Sequence, residues 1–176
     1  LEESIVAEKL AKVGILMGSD SDLEVMREAE KRLDSFGIAY ETRIMSAHRT
    51  PDIAAEYSAT AEKRGLEVII CGAGAAAHLA GAIAASTTLP VIGIPIDSSS
   101  LKGLDALFAT VQMPAGIPVA TMAIGKAGAA NAGIFAAQIV GRKDAEVAAK
   151  LIEFKKEMAA GVQDRDRKLQ SERNKS

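Results

Sequence analysis

The sequence predicts an open parallel α/β sheet with helices on both faces. Three observations lead there. Apolar, β-rich runs alternate with helical segments along the chain, most of those runs are continuous, and aromatic residues make up only 3% of 176 residues. Continuous apolar runs fit strands covered on both sides, and strand-helix alternation fits parallel strands joined by right-handed crossovers. A core rich in Ala and Gly and lacking Trp calls for closely packed helices, which favours layered packing over an aromatic-rich β-sandwich.

Val13-Gly14-Ile15-Leu16-Met17 opens the sheet, and Val68-Ile69-Ile70-Cys71, Val91-Ile92-Gly93-Ile94 and the run 119–124 supply three more covered strands. Residues 39–45 alternate, with Tyr40, Thr42 and Ile44 set against Glu41 and Arg43, as an edge strand with one wetter face does. That makes five strands. Helices are expected over 22–36, stopped by Gly37, and over 51–64, with Thr50 as N-cap, Pro51 in the first position and Gly65 as the stop. Segments 76–86, 104–112 and 127–140 carry little charge, which fits burial between layers or against another subunit. Subunit burial is expected for at least one. A last helix over 144–160 carries Val147, Leu151, Ile152, Phe154 and Met158, and Gly161 is expected to begin a polar tail, mobile or docked on a neighbour.

The length suits a single domain, read as an N-terminal extension over 1–12, a catalytic unit over 13–160 and a tail over 161–176. A net charge of -2 offers no extended cationic field, so nucleic acid is not an expected partner. No run approaches the ~18 apolar residues of a membrane span, and residues 1–12 mix charge with Leu, Ile and Val, unlike a signal peptide. Neither a membrane nor export is expected. The single Cys71 sits inside an apolar run and reads as a core residue in a reducing compartment, so the expected location is cytoplasmic.

In parallel sheets ligands bind at the carboxyl ends of strands, which selects the loops to read. The first strand runs into Gly18-Ser19-Asp20-Ser21-Asp22 and then a helix, an anion site in outline. Gly18 admits close backbone approach, Ser19 and Ser21 offer hydroxyls, and the Asp22 carboxylate suits ribose hydroxyls. The alternative is simple capping, with Ser21 and Glu24 as a capping box. The next loop holds Ser46-Ala47-His48-Arg49-Thr50-Pro51. A histidine, ordinarily titrating near pH ~6.5, can give and take a proton, and the Arg49 fork can hold a phosphate or carboxylate. A surface histidine beside a helix cap is the bland alternative.

Beyond the third strand lies Gly72-Ala73-Gly74-Ala75-Ala76-Ala77-His78, small enough to admit a flat ligand and to present backbone N–H groups to a carboxylate. Tight helix packing would explain the alanines but not His78. Segments 97–103 and 125–131 reach the same rim, as binding loops or as plain hydrophilic connections, with Lys126 a secondary candidate. Two histidines thirty positions apart without a cysteine pair do not make a metal site, and neither a dinucleotide fingerprint nor a Walker motif is present. No metal is expected.

Taken together, Met17-Gly18-Ser19-Asp20-Ser21-Asp22, Ser46-Ala47-His48-Arg49-Thr50-Pro51, Gly72-Ala73-Gly74 with His78, and Gln112-Met113-Pro114-Ala115-Gly116-Ile117-Pro118-Val119 resemble the PurE family. The last stretch resembles the bacterial type, N5-carboxyaminoimidazole ribonucleotide mutase, more than the type that carboxylates aminoimidazole ribonucleotide directly. The resemblance spans 13–151. It implies a flavodoxin-like three-layer α/β/α subunit with a five-stranded parallel sheet, assembled as a homo-octamer with active sites at subunit junctions and no metal or organic cofactor. By motif position it implies nucleotide binding by Ser19, Asp22 and Arg49, with Ser21 and Ser46 near the phosphate and His48 as the acid/base group. Carbon dioxide would be released and trapped against Ala73, Gly74, Ala75 and Ala76, then added to ring carbon C4.

One stretch departs from the family pattern Gly-Ala-Gly-Gly-Ala-Ala-His-Leu-Pro-Gly, since Ala75 and Ala80 replace a glycine and the proline. Ala75 strains the loop if the position has positive φ, or narrows the pocket if the glycine gave clearance. Two competing readings follow: a diverged relative acting on another azole or pyridine nucleotide, and a catalytically silent assembly module. The joint presence of Ser19, Asp22, His48 and Arg49 argues against the second, because assembly has no physical need of that set.

Overall fold

A computed structural model describes residues 10–173, so most of the 1–12 extension and the last residues of the tail lie outside the described residues. Five parallel strands form one sheet in the order β2-β1-β3-β4-β5: β1 (Val13–Met17), β2 (Tyr40–Ile44), β3 (Val68–Gly74), β4 (Val91–Ile96) and β5 (Ala120–Thr121). Because side chains alternate across a strand, the sheet serves two cores. Val13, Ile15 and Met17 of β1 pack with Met26, Ala29 and Leu33 of α1 (Leu23–Phe36), the alanines of α5 (Lys126–Val140) and Val147 of α6 (Ala145–Arg173). Leu16, Ile69 and Cys71 face the other way, against α2 (Pro51–Ala61) and α3 (Leu79–Ala84). The result is a three-layer α/β/α sandwich of flavodoxin-like topology.

The edge position expected for 39–45 is observed: β2 is only partly buried, with Ile44 exposed. At the opposite edge the expectation of a covered strand over 119–124 is corrected. Only Ala120 and Thr121 join the ladder, opposite Ile92 and Gly93, and both are half-buried. The reason lies in β4. Met122 N–H still donates to Gly93 O at 2.9 Å, but Pro95 has no N–H to continue the pattern and is reached instead by Gly125 N–H at 2.9 Å.

Helix boundaries follow the local signals with three exceptions. Gly37 ends α1 in a left-handed conformation (φ 71°), but α2 stops at Ala61, and Glu62–Arg64 tighten into a 3₁₀ turn before Gly65 (φ 94°). The helix expected over 76–86 begins only at Leu79, because Ala77 N–H donates to Ala75 O and His78 N–H to Ala76 O in two successive tight turns. The third exception is α6. Asp144 Oδ1 caps it by accepting from Glu146 N–H at 3.0 Å and Val147 N–H at 3.1 Å, yet the helix runs through Gly161 to Arg173. A mid-helix glycine costs only about 1 kcal/mol, and the following residues are good helix formers with an Arg167–Asp164 pair one turn apart.

The small residues of α5 are accounted for inside the subunit. Gly128, Ala129, Ala132, Gly133, Ala136 and Ala137 are buried, and a Cβ built at Gly133 would lie 2.7 Å from Ala29 O on α1. Burial against another subunit therefore does not explain α5. The helix α4 (Leu104–Val111) differs, since Leu104, Phe108 and Val111 stay exposed. Among the described residues, no helix is long and apolar enough to cross a membrane.

Candidate active site at the carboxyl ends of the strands

The turn after β1 is closed by its own serine. Ser19, in extended conformation, accepts from Ser21 N–H at 3.3 Å and from the Ser21 hydroxyl at 3.0 Å, so the first helical turn, 3₁₀ over Asp20–Asp22, is capped by Ser19. The alternative of a capping box of Ser21 with Glu24 is not realised, because the Glu24 carboxylate is occupied by Lys126 Nζ at 2.5 Å. Lys126 thus braces α1 against the start of α5 and does not line the pocket. Asp22 is 7% exposed, and burial pushes its carboxyl above the ordinary range. The Asp20 charge adds to this, while hydrogen bonding from Ser21 and from the Ser19 backbone opposes it.

After β2, Ser46 organises the second loop. Its hydroxyl oxygen accepts from His48 N–H at 3.3 Å and Arg49 N–H at 3.2 Å. Thr50 stands at the N-cap of α2, as expected, while its hydroxyl accepts from Ser46 N–H at 2.9 Å and donates to Ser46 O at 3.1 Å. The turn is thereby locked before the helix starts. Arg49 Nη2 then donates to Gly18 O at 2.7 Å, tying the second loop to the first. Most guanidinium donors remain available to an anion beside Ser19 and Ser46.

The third loop delivers the other histidine. His48 Nε2 and His78 Nδ1 stand 2.9 Å apart, with the rings edge to face at a centroid separation of 4.9 Å. One ring must donate and the other accept, so the pair shares one proton position and fixes the direction of the His48 ring. Gly18, Ser19, Ser21 and Asp22 form one wall of a cavity of about 190 Å³ that opens to solvent, and Ser46, Ala47, His48 and Arg49 form the second. Ala73, Gly74, Ala76 and Leu79 close the third side, where small apolar groups dominate.

Ala75 is the exception within this loop. Its φ is 50°, a left-handed conformation disfavoured for any residue with a Cβ, and its side chain is exposed and does not line the cavity. Of the two consequences expected of this alanine, loop strain is the one observed. Ser98, which lies in the 97–103 segment expected at the rim but is not one of the residues singled out there, completes the cavity. A signal for it existed: Ser98 stands two residues past the end of β4, the same offset as Ser19 from β1. Among the described residues, no group of three or more His, Cys, Asp or Glu side chains is placed to hold a metal.

Two outcomes follow. Ala75→Gly should raise stability by about 1 kcal/mol in urea melts, since glycine adopts the left-handed region without the Cβ cost; an unchanged or lower midpoint would contradict the strain. Asp22→Asn should raise the melting temperature at neutral pH. With the folded-state pKa raised, folding is penalised wherever the carboxyl is ionised, so wild-type stability gains as pH falls from the raised folded pKa toward the unfolded value. The advantage of Asp22→Asn should therefore shrink over that acidic window in thermal melts.

The geometry can be set beside known proteins. A family model described as AIR carboxylase matches residues 12–161. The chain is 57% identical over 151 residues to the N5-carboxyaminoimidazole ribonucleotide mutase of Vibrio vulnificus, covering 86% of this chain and 94% of the relative. It is 55% identical over 161 residues to the protein of that name from Thermotoga maritima, covering 92% of this chain and 93% of the relative. The crystal structure of Treponema denticola PurE superposes with a TM-score of 0.80 at 31% identity, covering 89% of this chain and 97% of that one. With the family match running through every loop of the cavity, the chain belongs to the AIR carboxylase family, the PurE proteins.

Proposed function

We propose that this chain is an N5-carboxyaminoimidazole ribonucleotide mutase of purine biosynthesis, acting in the cytoplasm on a small ribonucleotide. The observation that carries the reading is the His48 imidazole, directed by His78 at 2.9 Å, between a hydroxyl- and guanidinium-lined rim and a wall of small apolar residues. Arg49 with Ser19, Ser21 and Ser46 holds the phosphate. Asp22 accepts from the ribose hydroxyls, which restores the hydrogen bonds its carboxylate gives up on burial.

His48 acts twice. Protonated His48 donates to the exocyclic nitrogen as its bond to the carboxylate breaks, giving aminoimidazole ribonucleotide and carbon dioxide. The ring, electron-rich at C4, then attacks the carbon dioxide, and neutral His48 removes the C4 proton to leave the C4-carboxylated product. The proton given in the first half returns in the second, so one imidazole suffices and the reaction is redox-neutral. Carbon dioxide offers almost no polar handle, so its retention rests on enclosure, to which Ala73, Gly74 and Ala76 contribute small apolar surface.

Enclosure is incomplete in a single subunit, because the cavity opens to solvent. Leu101, Leu104, Phe108 and Val111, each between 49% and 59% exposed, recur at helical spacing and form an apolar stripe suited to another copy of the chain. A homo-octamer with active sites at subunit junctions fits both facts. No cofactor is assigned, since moving a carboxyl group within one nucleotide needs no electron carrier.

His48→Asn should lower kcat by about 10³-fold or more while nucleotide affinity stays within a few-fold, measured by conversion of N5-carboxyaminoimidazole ribonucleotide to its C4 isomer without ATP; retention of turnover would refute the assignment. Phe108→Asp should reduce the assembly mass in light scattering and lower activity with it; an octamer-sized, fully active variant would remove α4 from the interface.

A further inference from the structure

The sheet order separates the cavity into two halves. Loops after β2 and β1 carry the hydroxyls, Asp22 and Arg49, whereas loops after β3 and β4 border the other half. A nucleotide whose phosphate and ribose occupy the first half must place its base over the second. There the lining consists of Ala73, Gly74, Ala76 and Leu79, none with a polar side chain, and Ser98. Ser98 is therefore the one side-chain hydroxyl beside the base end, among the described residues.

Its surroundings keep it free. The hydroxyl of Ser98 makes no hydrogen bond among the described residues, whereas neighbouring Ser99 donates to Asp105 Oδ2 at 2.7 Å and accepts from Leu101 N–H at 3.1 Å. Gly74 makes room for Ser98: a Cβ built at Gly74 would stand 1.8 Å from Ser98 Oγ and 2.7 Å from Ser98 Cβ. The missing side chain at 74 and the hydroxyl at 98 share one space at the cavity wall.

We infer that Ser98 recognises the migrating carboxylate, donating its hydroxyl hydrogen bond to the carboxylate of substrate and product. This rests on the mutase reading and adds a residue to it. Ser98 makes and breaks no covalent bond. Its hydrogen bond weakens when the carboxylate becomes carbon dioxide, a poor acceptor, and reforms when C4 is carboxylated. A neutral donor suits this duty better than Lys or Arg, because a cation would stabilise the carboxylate before the transition state and raise the barrier to its loss.

Binding of the C4-carboxylated nucleotide and of aminoimidazole ribonucleotide, which differ by that carboxylate, tests the inference. Ser98→Ala should weaken the carboxylated nucleotide about 10-fold or more and leave aminoimidazole ribonucleotide within two-fold, with the melting temperature unchanged. Ser98→Thr, which keeps the hydroxyl, should restore most of the loss. Equal weakening of both ligands, or of neither, overturns the role of Ser98 even if the intact chain isomerises its substrate. An intact chain that binds nucleotide but does not isomerise it overturns the mutase reading itself, and this inference with it.

Discussion

The central placement of β1 is the constraint on which the rim depends. It is wholly buried and paired in parallel along both edges, to β2 from Val13↔Tyr40 to Met17↔Ile44 and to β3 from Val13↔Val68 to Met17↔Gly72. The loops leaving these three strands must therefore emerge side by side at one end of the sheet. The Arg49 guanidinium joined to Gly18 O and the His48–His78 contact become short-range interactions only because of that pairing. Loosening β1 would separate these cavity-lining groups, although none of its own side chains reaches the cavity.

Features unfavourable to folding collect where the chemistry is expected. Asp22 is a buried carboxyl with a raised pKa, and Ala75 holds a left-handed backbone. The Ser98 hydroxyl and the remaining Arg49 donors also face an open cavity. Each would be better satisfied with a ligand present or with a different residue. They persist because the surrounding sheet, with Ile15, Ile70 and Ile94 fully or almost fully buried, over-determines their positions.

The two layers of helices divide the work. α1 and α5 meet through glycine and alanine, so their backbones approach closely and hold the first loop, with the Lys126–Glu24 pair across the top. On the opposite layer α2 and α3 carry the second and third loops, and α4 leaves apolar side chains outside. A chain built this way holds the cavity loops on one buried sheet and leaves an apolar stripe on α4 exposed.

The strand Val13–Met17, the Val91–Ile94 part of β4, the stop at Gly37 and the loops bearing Ser19, His48 and Gly74 were legible from order along the chain. Periodicity, glycine stops and strand-end positions depend on neighbouring residues, which a sequence displays directly. What the sequence obscured depended on distant partners. Pro95 on β4 shortens β5, Lys126 takes Glu24 away from a capping box, and two tight turns delay α3. Ser98 was hidden for the same reason, since its access to the cavity depends on the absent side chain of Gly74, twenty-four positions earlier. By itself the sequence determined the layered parallel fold and the family, and it singled out the loop that carries His48. Tertiary structure alone decided which hydroxyls stay free and which way His48 points, because both are set by side chains that meet only after the strands have paired.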